Sequence, residues 1–218
     1  TQDALLVVHG GGPTAVINAS LFGAVDEALK TPGVGRVLGA LGGMGGITDG
    51  TFVDFAQVSP EKLSLLPSSP SSAIGTSRKP LEADDYRELA HALERTGVRW
   101  LLPTGGNGTM NTCGEIWRAC QAEGVSIDVV GIPKTMDNDI AVTDHCPGFG
   151  SVARYMAGTV RELGVDVRSL PIHVVVLEAL GRNAGWTTAA AALAREQEGD
   201  APHLLYPPER PFHEDEFL

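Results

Sequence analysis

The chain has 218 residues, a length that suits one large domain or a domain with part of a second. Sixteen Lys and Arg against 27 Asp and Glu leave a net charge of −11, the wrong sign for a sequence-independent grip on nucleic acid or anionic lipid. No apolar run approaches the roughly 18 residues of a membrane span, and no basic region followed by an apolar stretch opens the chain, so a soluble cytoplasmic protein with no nucleic acid polymer or membrane partner is expected. Cys113, Cys120 and Cys146 are odd in number. Cys113 and Cys120 stand seven residues apart on an expected helix, about 10 Å and beyond disulfide reach, which fits a reducing compartment. Glycine is in excess, 27 of 218 or roughly 12% against an average near 7%.

Ala4 to His9 reads as a buried strand, Gly10-Gly11-Gly12-Pro13 as a break, and Asn18 to Lys30 as a helix with apolar residues at Leu21, Val25, Ala28 and Leu29. Val34 to Leu41 is a second strand, and Gly42-Gly43-Met44-Gly45-Gly46 after it suggests a mobile surface segment. Ser59 before Pro60 caps a helix start, and Pro67 to Ser72 follows as an irregular loop. Tyr86, Leu89, Ala90 and Leu93 mark an amphipathic helix closed by Gly97. Val98 to Pro103 is a strand leading into Thr104-Gly105-Gly106-Asn107-Gly108-Thr109. The next helix places Cys113, Ile116, Trp117 and Cys120 on one face. Ile127 to Ile132 is a strand, Pro133 to Asp139 a polar loop, and Ser151 to Leu163 a helix. Ile172 to Glu178 is a strand, Leu180 to Asn183 its loop, and Ala184 to Gln197 a helix. This alternation predicts an α/β fold with a doubly wound, mostly parallel sheet and helices on both faces. Its ligand crevice lies beyond the carboxyl ends of the strands, where the unusual loops converge.

Glycines in a strand-to-helix turn let backbone N–H groups approach an anion, and the following helix adds its positive dipole end. Gly10 to Gly12 alone is as readily a tight turn; with Gly105 to Thr109 it reads as a phosphate site. Pro133 to Asp139 gathers two carboxylates, a hydroxyl, an amide and an ammonium after a buried strand. One carboxylate could take the proton of an attacking alcohol while Lys134 neutralises a transferring phosphoryl group. Asp137 and Asp139 could equally make Asx-turns or cap the next helix.

Gly11-Gly12-Pro13 with Asn18-Ala19, Gly75-Thr76-Ser77-Arg78, Gly105-Gly106-Asn107-Gly108-Thr109, Pro133-Lys134-Thr135-Met136-Asp137-Asn138-Asp139 and Leu180-Gly181-Arg182-Asn183-Ala184-Gly185-Trp186 stand in one order along the chain. In that order and spacing the chain resembles the 6-phosphofructokinases over essentially its whole length. The resemblance implies a glycolytic phosphotransferase that moves a phosphoryl group to the 1-hydroxyl of fructose 6-phosphate, with Mg2+ as cofactor, as a homo-oligomer (dimer or tetramer). It implies a donor-phosphate-binding lobe over 1–140 and the start of a sugar-phosphate-binding lobe over 141–218, which the family continues beyond 218.

By the same resemblance Asp137 is the base, with Thr135 beside it, Lys134 as a cation of the reacting loop and Asp139 near the metal or reacting phosphate. Arg78 holds the transferring phosphoryl group, and Gly12, Gly106, Gly108 and Thr109 form the donor-phosphate loops. Arg182 holds the sugar phosphate site, and Leu180 and Gly181 line the sugar. Asn107 stands where the family has an aspartate associated with magnesium, and His173 where many members have an arginine that crosses a subunit interface. Gly108 replaces the aspartate of pyrophosphate-dependent members, so the resemblance favours ATP as donor, with pyrophosphate as the alternative. A non-catalytic, ligand-sensing paralogue or regulatory subunit is the reading that Asn107 leaves open. A dinucleotide dehydrogenase is disfavoured, because the chain lacks its Gly-x-Gly-x-x-Gly turn.

Overall fold

The computed structural model describes residues 3–171 and 174–217. Two compact units follow one another along the chain, Thr1–Lys134 and Thr135–Leu218, a division that falls inside the polar loop.

The first unit is a sheet covered on both faces. β1 (Ala4–His9) is its axis, pairing in parallel with β2 (Arg36–Ala40) on one side and β4 (Val98–Gly105) on the other. β3 (Phe52–Asp54) adds an antiparallel edge to β2, while β5 (Asp128–Val129) and β6 (Ile132–Pro133) both pair in parallel with β4. The expected strand Ile127 to Ile132 is thus two short ones, interrupted at Val130-Gly131. The chain winds from β1 outward to β2 and returns to the opposite side as β4, which makes the β1–β4 boundary the topological switch point.

Successive side chains of a strand face opposite ways, so each strand feeds two cores. Leu6, Val8 and Leu101 pack with α4 (Ala83–Thr96) and α5 (Asn107–Ala122), whose Leu89, Leu93, Ile116 and Cys120 they meet. Val7 on the other face meets Leu21 and Val25 of α1 (Ile17–Lys30), with Phe55, Leu66 and Ile74. The helix over Tyr86 to Leu93 forms as its spacing predicts. Glu82 and Asp85 close a capping box, and Gly97 ends it at φ 73°, a left-handed conformation that favours glycine. Ser59 caps α3 (Pro60–Leu63) by accepting from the Lys62 N–H. Trp117 departs from expectation: it is 49% exposed, at the edge of the face whose Ile116 and Cys120 are buried.

Gly42 to Gly46 is packed rather than mobile. Met44 and Gly46 are buried, and α2 (Gly45–Thr48) begins inside the segment. A Cβ on Gly46 would lie 2.2 Å from the Leu41 carbonyl oxygen, and one on Gly43 2.8 Å from the Ser77 nitrogen. These glycines permit close backbone approach, not freedom of movement.

The second unit is built on α6 (Phe149–Ser169), longer than its spacing predicts. Met156 and Val160 of α6 pack against Ala191 and Ala194 of the segment that follows α7 (Trp186–Ala190). The helix expected over Ala184 to Gln197 is therefore α7 followed by a tighter turn over Ala191–Ala194, and α8 (Glu214–Phe217) closes the described chain. The expected strand Ile172 to Glu178 is not formed at residues 174–178; Ile172 lies outside the described residues. Val174 and Val176 are 74% and 87% exposed, and no described strand of this unit offers them a hydrogen-bonding ladder.

Candidate active site

In the first unit the glycine turns after β1 and β4 lie side by side at the switch point. Gly10 donates to the Thr104 carbonyl at 2.9 Å, and Gly11 donates to the Ser77 carbonyl at 2.9 Å. Thr109, in the first turn of α5, wedges between the turns. A Cβ at Gly10 would fall 2.4 Å from its Oγ1, and one at Gly105 2.1 Å from it. Both positions therefore require glycine by close approach.

Two cations meet this frame at Gly12. The Lys134 ammonium donates to the Gly12 carbonyl, and the Arg78 guanidinium lies so close over Gly12 that a Cβ there would be 2.5 Å from Nη2. Lys134 is buried, and its backbone N–H is held by the Gly105 carbonyl at 2.9 Å. Arg78 is exposed and forms no ion pair among the described residues. α5 starts at Asn107 behind the Gly106 cap, with no acidic residue in its first turn to offset its positive end. Gly12, Arg78, Gly106, Thr109 and Lys134 are thus brought together, glycine turns and two cations at the start of a helix, an arrangement suited to an anion. Asn107 and Gly108 are exposed on the first turn of α5, and a Cβ at Gly108 would meet nothing within 4 Å.

The loop that opens the second unit is fastened at its base and by one residue. Thr135 bridges to Gly148, the residue before α6, and donates to the Pro147 carbonyl at 3.1 Å. Asn138, at φ 54°, is buried. Its Oδ1 accepts from the Cys146 N–H at 2.7 Å and its Nδ2 donates to the Asp144 carbonyl at 3.3 Å. Asn138 thus makes side-chain bonds to the loop backbone of the kind weighed for Asp137 and Asp139. Asp137 donates its N–H to Thr135 Oγ1 at 3.1 Å and is half-buried, while its carboxylate accepts no hydrogen bond among the described residues. Asp139 is exposed and has a partner of its own.

Elsewhere in this unit Leu180 and Arg182 are exposed. Gly181 at φ 130° brings its backbone against Ala184, whose carbonyl oxygen would lie 2.3 Å from a Cβ at 181. His173 lies outside the described residues.

No group of three or more His, Cys, Asp or Glu among the described residues could hold a metal ion. Asn107 offers a neutral amide at a helix start whose dipole favours anions. A magnesium ion at phosphates is commonly held by one or two carboxylates with phosphate oxygens and water, so Asp139 and the Asn107 amide are the side chains that would face one here, and no step below runs through a metal. A cysteine nucleophile is equally unsupported, since burial pushes the Cys113 and Cys120 thiols up to about 11.

The first unit thus carries paired glycine turns at the switch point with two cations on Gly12, and the second opens on an acidic loop. The phosphofructokinase profile matches residues 4–218. The chain belongs to the phosphofructokinase family. It is 40% identical over 226 residues to a pyrophosphate–fructose 6-phosphate 1-phosphotransferase of Xanthomonas campestris pv. campestris, covering 100% of this chain and 54% of that relative. It is 30% identical to an ATP-dependent 6-phosphofructokinase of Amycolatopsis methanolica, covering 94% of this chain and 43% of the relative. A solved pyrophosphate-dependent phosphofructokinase from Marinobacter aquaeolei superposes with a TM-score of 0.90 at 33% identity, over 99% of this chain and 55% of that one. The chain spans about half the length of the curated phosphofructokinase relatives it matches.

Sequence reading names Asn18 and Asn138 within motifs but assigns no role to them or to His9, and all three hold these loops. Asn138 had a usable signal, since an asparagine between two acidic residues in a turn suits a left-handed conformation. No described helix is long and apolar enough to cross a membrane.

Proposed function

We propose that the protein transfers a phosphoryl group to the 1-hydroxyl of fructose 6-phosphate with pyrophosphate as donor. The observation that carries this reading is the meeting of Arg78 and Lys134 on Gly12, beside the open N-terminus of α5. The pyrophosphate assignment leans on the relatives, since the more similar of those compared bears that donor's name.

In this mechanism the Asp137 carboxylate accepts the proton of the sugar hydroxyl as its oxygen attacks the terminal phosphorus in line. The bond from that phosphorus to the bridging oxygen breaks, and orthophosphate leaves with the electron pair. Arg78, Lys134 and the backbone amides of the Gly12 and Gly106 turns face the charge that spreads over the phosphoryl oxygens. Thr135 orients the hydroxyl. Arg182, Leu180, Gly181 and His173 belong to the sugar phosphate side, and Asp139 stands near the reacting loop. A cytoplasmic location and a homo-oligomeric state belong to the same proposal.

The open volume at Gly108 favours a second reading, in which ATP is the donor and its α-phosphate takes that space. A coupled assay with fructose 6-phosphate, magnesium and either pyrophosphate or ATP separates the two. Turnover with pyrophosphate alone supports the first reading and turnover with ATP alone the second. Binding of both ligands with no turnover would make the protein a sensor and end both.

A further inference from the structure

The segment that delivers Arg78 is held from beneath by two buried polar side chains. His9, the last residue of β1, is fully buried, and its Nδ1 lies 2.7 Å from Ser72 Oγ. That hydroxyl has one proton and donates it to the Gly75 carbonyl at 2.8 Å, so toward His9 it can only accept. The imidazole therefore carries its hydrogen on Nδ1. Nε2 is left bare, and it is buried with no hydrogen-bond partner among the described residues, an arrangement more tolerable for an acceptor than for an N–H. Burial, with the Lys134 charge behind it, holds the imidazole pKa down to about 4, so this neutral form persists at ordinary pH.

Asn18 of α1 grips the same segment, donating to the Ser69 carbonyl at 3.0 Å and accepting from the Ala73 N–H at 2.8 Å. Beyond these anchors the chain turns at Gly75, whose φ is 74°, and reaches the glycine turn after β1. Thr76 Oγ1 donates to the Gly11 carbonyl at 2.7 Å, Ser77 accepts from the Gly11 N–H, and Arg78 lies over Gly12.

We propose that His9, through its Nδ1–H bond to Ser72, is a positioning residue that sets Arg78 against the donor's phosphates. The inference rests on the reading of Arg78 as a donor-phosphate cation given under Proposed function. The required element is a donor at the place of Nδ1, not the imidazole's basicity.

Three substitutions at one position isolate that atom. In His9→Asn the amide nitrogen branches from Cγ as Nδ1 does, in His9→Gln it moves outward to the place of Nε2, and in His9→Phe no donor remains. In the protein, His9→Phe and His9→Gln should raise the KM for pyrophosphate, or for ATP if that is the donor, about tenfold, the scale of one lost buried hydrogen bond. The KM for fructose 6-phosphate should hold. His9→Asn should recover most of the loss, Ser72→Ala should repeat the His9→Phe defect, and the double variant should be no worse than either. An unchanged donor KM in His9→Phe, an equal rise for both substrates, or no rescue by His9→Asn overturns the proposal.

Two measurements need no turnover. Nitrogen-15 NMR should find the His9 hydrogen on Nδ1, and amide hydrogen exchange at Gly11 and Ala73 should speed up in His9→Phe and Ser72→Ala but not in His9→Asn. If the unmodified protein turns over neither donor, the functional reading falls while exchange still decides the latch. Unchanged exchange at Gly11, or a hydrogen on Nε2, overturns it.

Discussion

The two units hold their chemistry in different ways. In the first, Gly12, Thr109 and Lys134 are fixed by a sheet with a core on each face, and the glycines are pressed against backbone and Thr109. In the second, Asp137 rides a loop secured by Thr135 and by the two side-chain bonds of Asn138, and the core cluster of that unit is Met156, Val160, Ala191 and Ala194. A frame for an anion needs fixed dipoles and close backbone approach, which a sheet supplies. A base needs an uncommitted carboxylate, and a loop pinned by its neighbour leaves one.

The sharpest break in that contrast is Asp137→Asn, which keeps size and removes basicity. It should lower kcat by about 10²- to 10⁴-fold while calorimetry finds sugar phosphate affinity unchanged. Near-normal turnover would remove Asp137 as the base. Next, truncating cores should separate the units: Leu101→Ala, in the fully buried sheet interior, should cost about 2–5 kcal/mol in urea unfolding. Val176→Ala, at an exposed position, should stay within about 0.5 kcal/mol. Equal losses would mean that the exposed valines are packed in solution. Gly105→Ala should destabilise by about 1–3 kcal/mol, since its Cβ would meet Thr109 Oγ1 and, at 2.8 Å, the Gly10 carbonyl oxygen.

Acid offers a subtler probe. The unfolded chain takes a proton on His9 near pH 6.5, whereas the folded residue, buried and then opposed by the Lys134 ammonium, resists until about 4. Stability from this residue is therefore complete above pH 6.5 and falls as acid is added. The loss is about 2 kcal/mol by pH 5 at roughly 1.4 kcal/mol per pH unit. Thermal melts of His9→Asn against the unmodified protein should show that slope removed. The smallest effect belongs to Gly108→Ala, which should stabilise α5 by a few tenths to about 1 kcal/mol.

Much of the first unit was legible because its signals are local. An apolar run stopping at glycine marks the ends of β1 and β4, and the spacing of Tyr86, Leu89, Ala90 and Leu93 with Gly97 marks α4. Gly42 to Gly46 misled because glycine serves both motion and close contact, and only the Leu41 and Ser77 backbones distinguish the two. His9 and Ser72 are 63 residues apart, so no window of sequence contains their bond. Val174 to Leu177 has strand chemistry, but a strand is completed by its neighbours. Of the site, the loops and their charges could be read; the reason Asp137 stays uncommitted lies in the bonds of Asn138 to Asp144 and Cys146.

The open space at Gly108 has an evolutionary consequence. Its backbone does not need glycine and a side chain there would strike nothing, so exchange at this position escapes the folding penalty that guards Gly10 and Gly105. A glycine codon ending in a pyrimidine lies one base from an aspartate codon. On the second reading, in which ATP is the donor, a single substitution that the scaffold hardly registers would close the site to the nucleotide, and Gly108→Asp should abolish any use of ATP while leaving the melting temperature nearly unchanged.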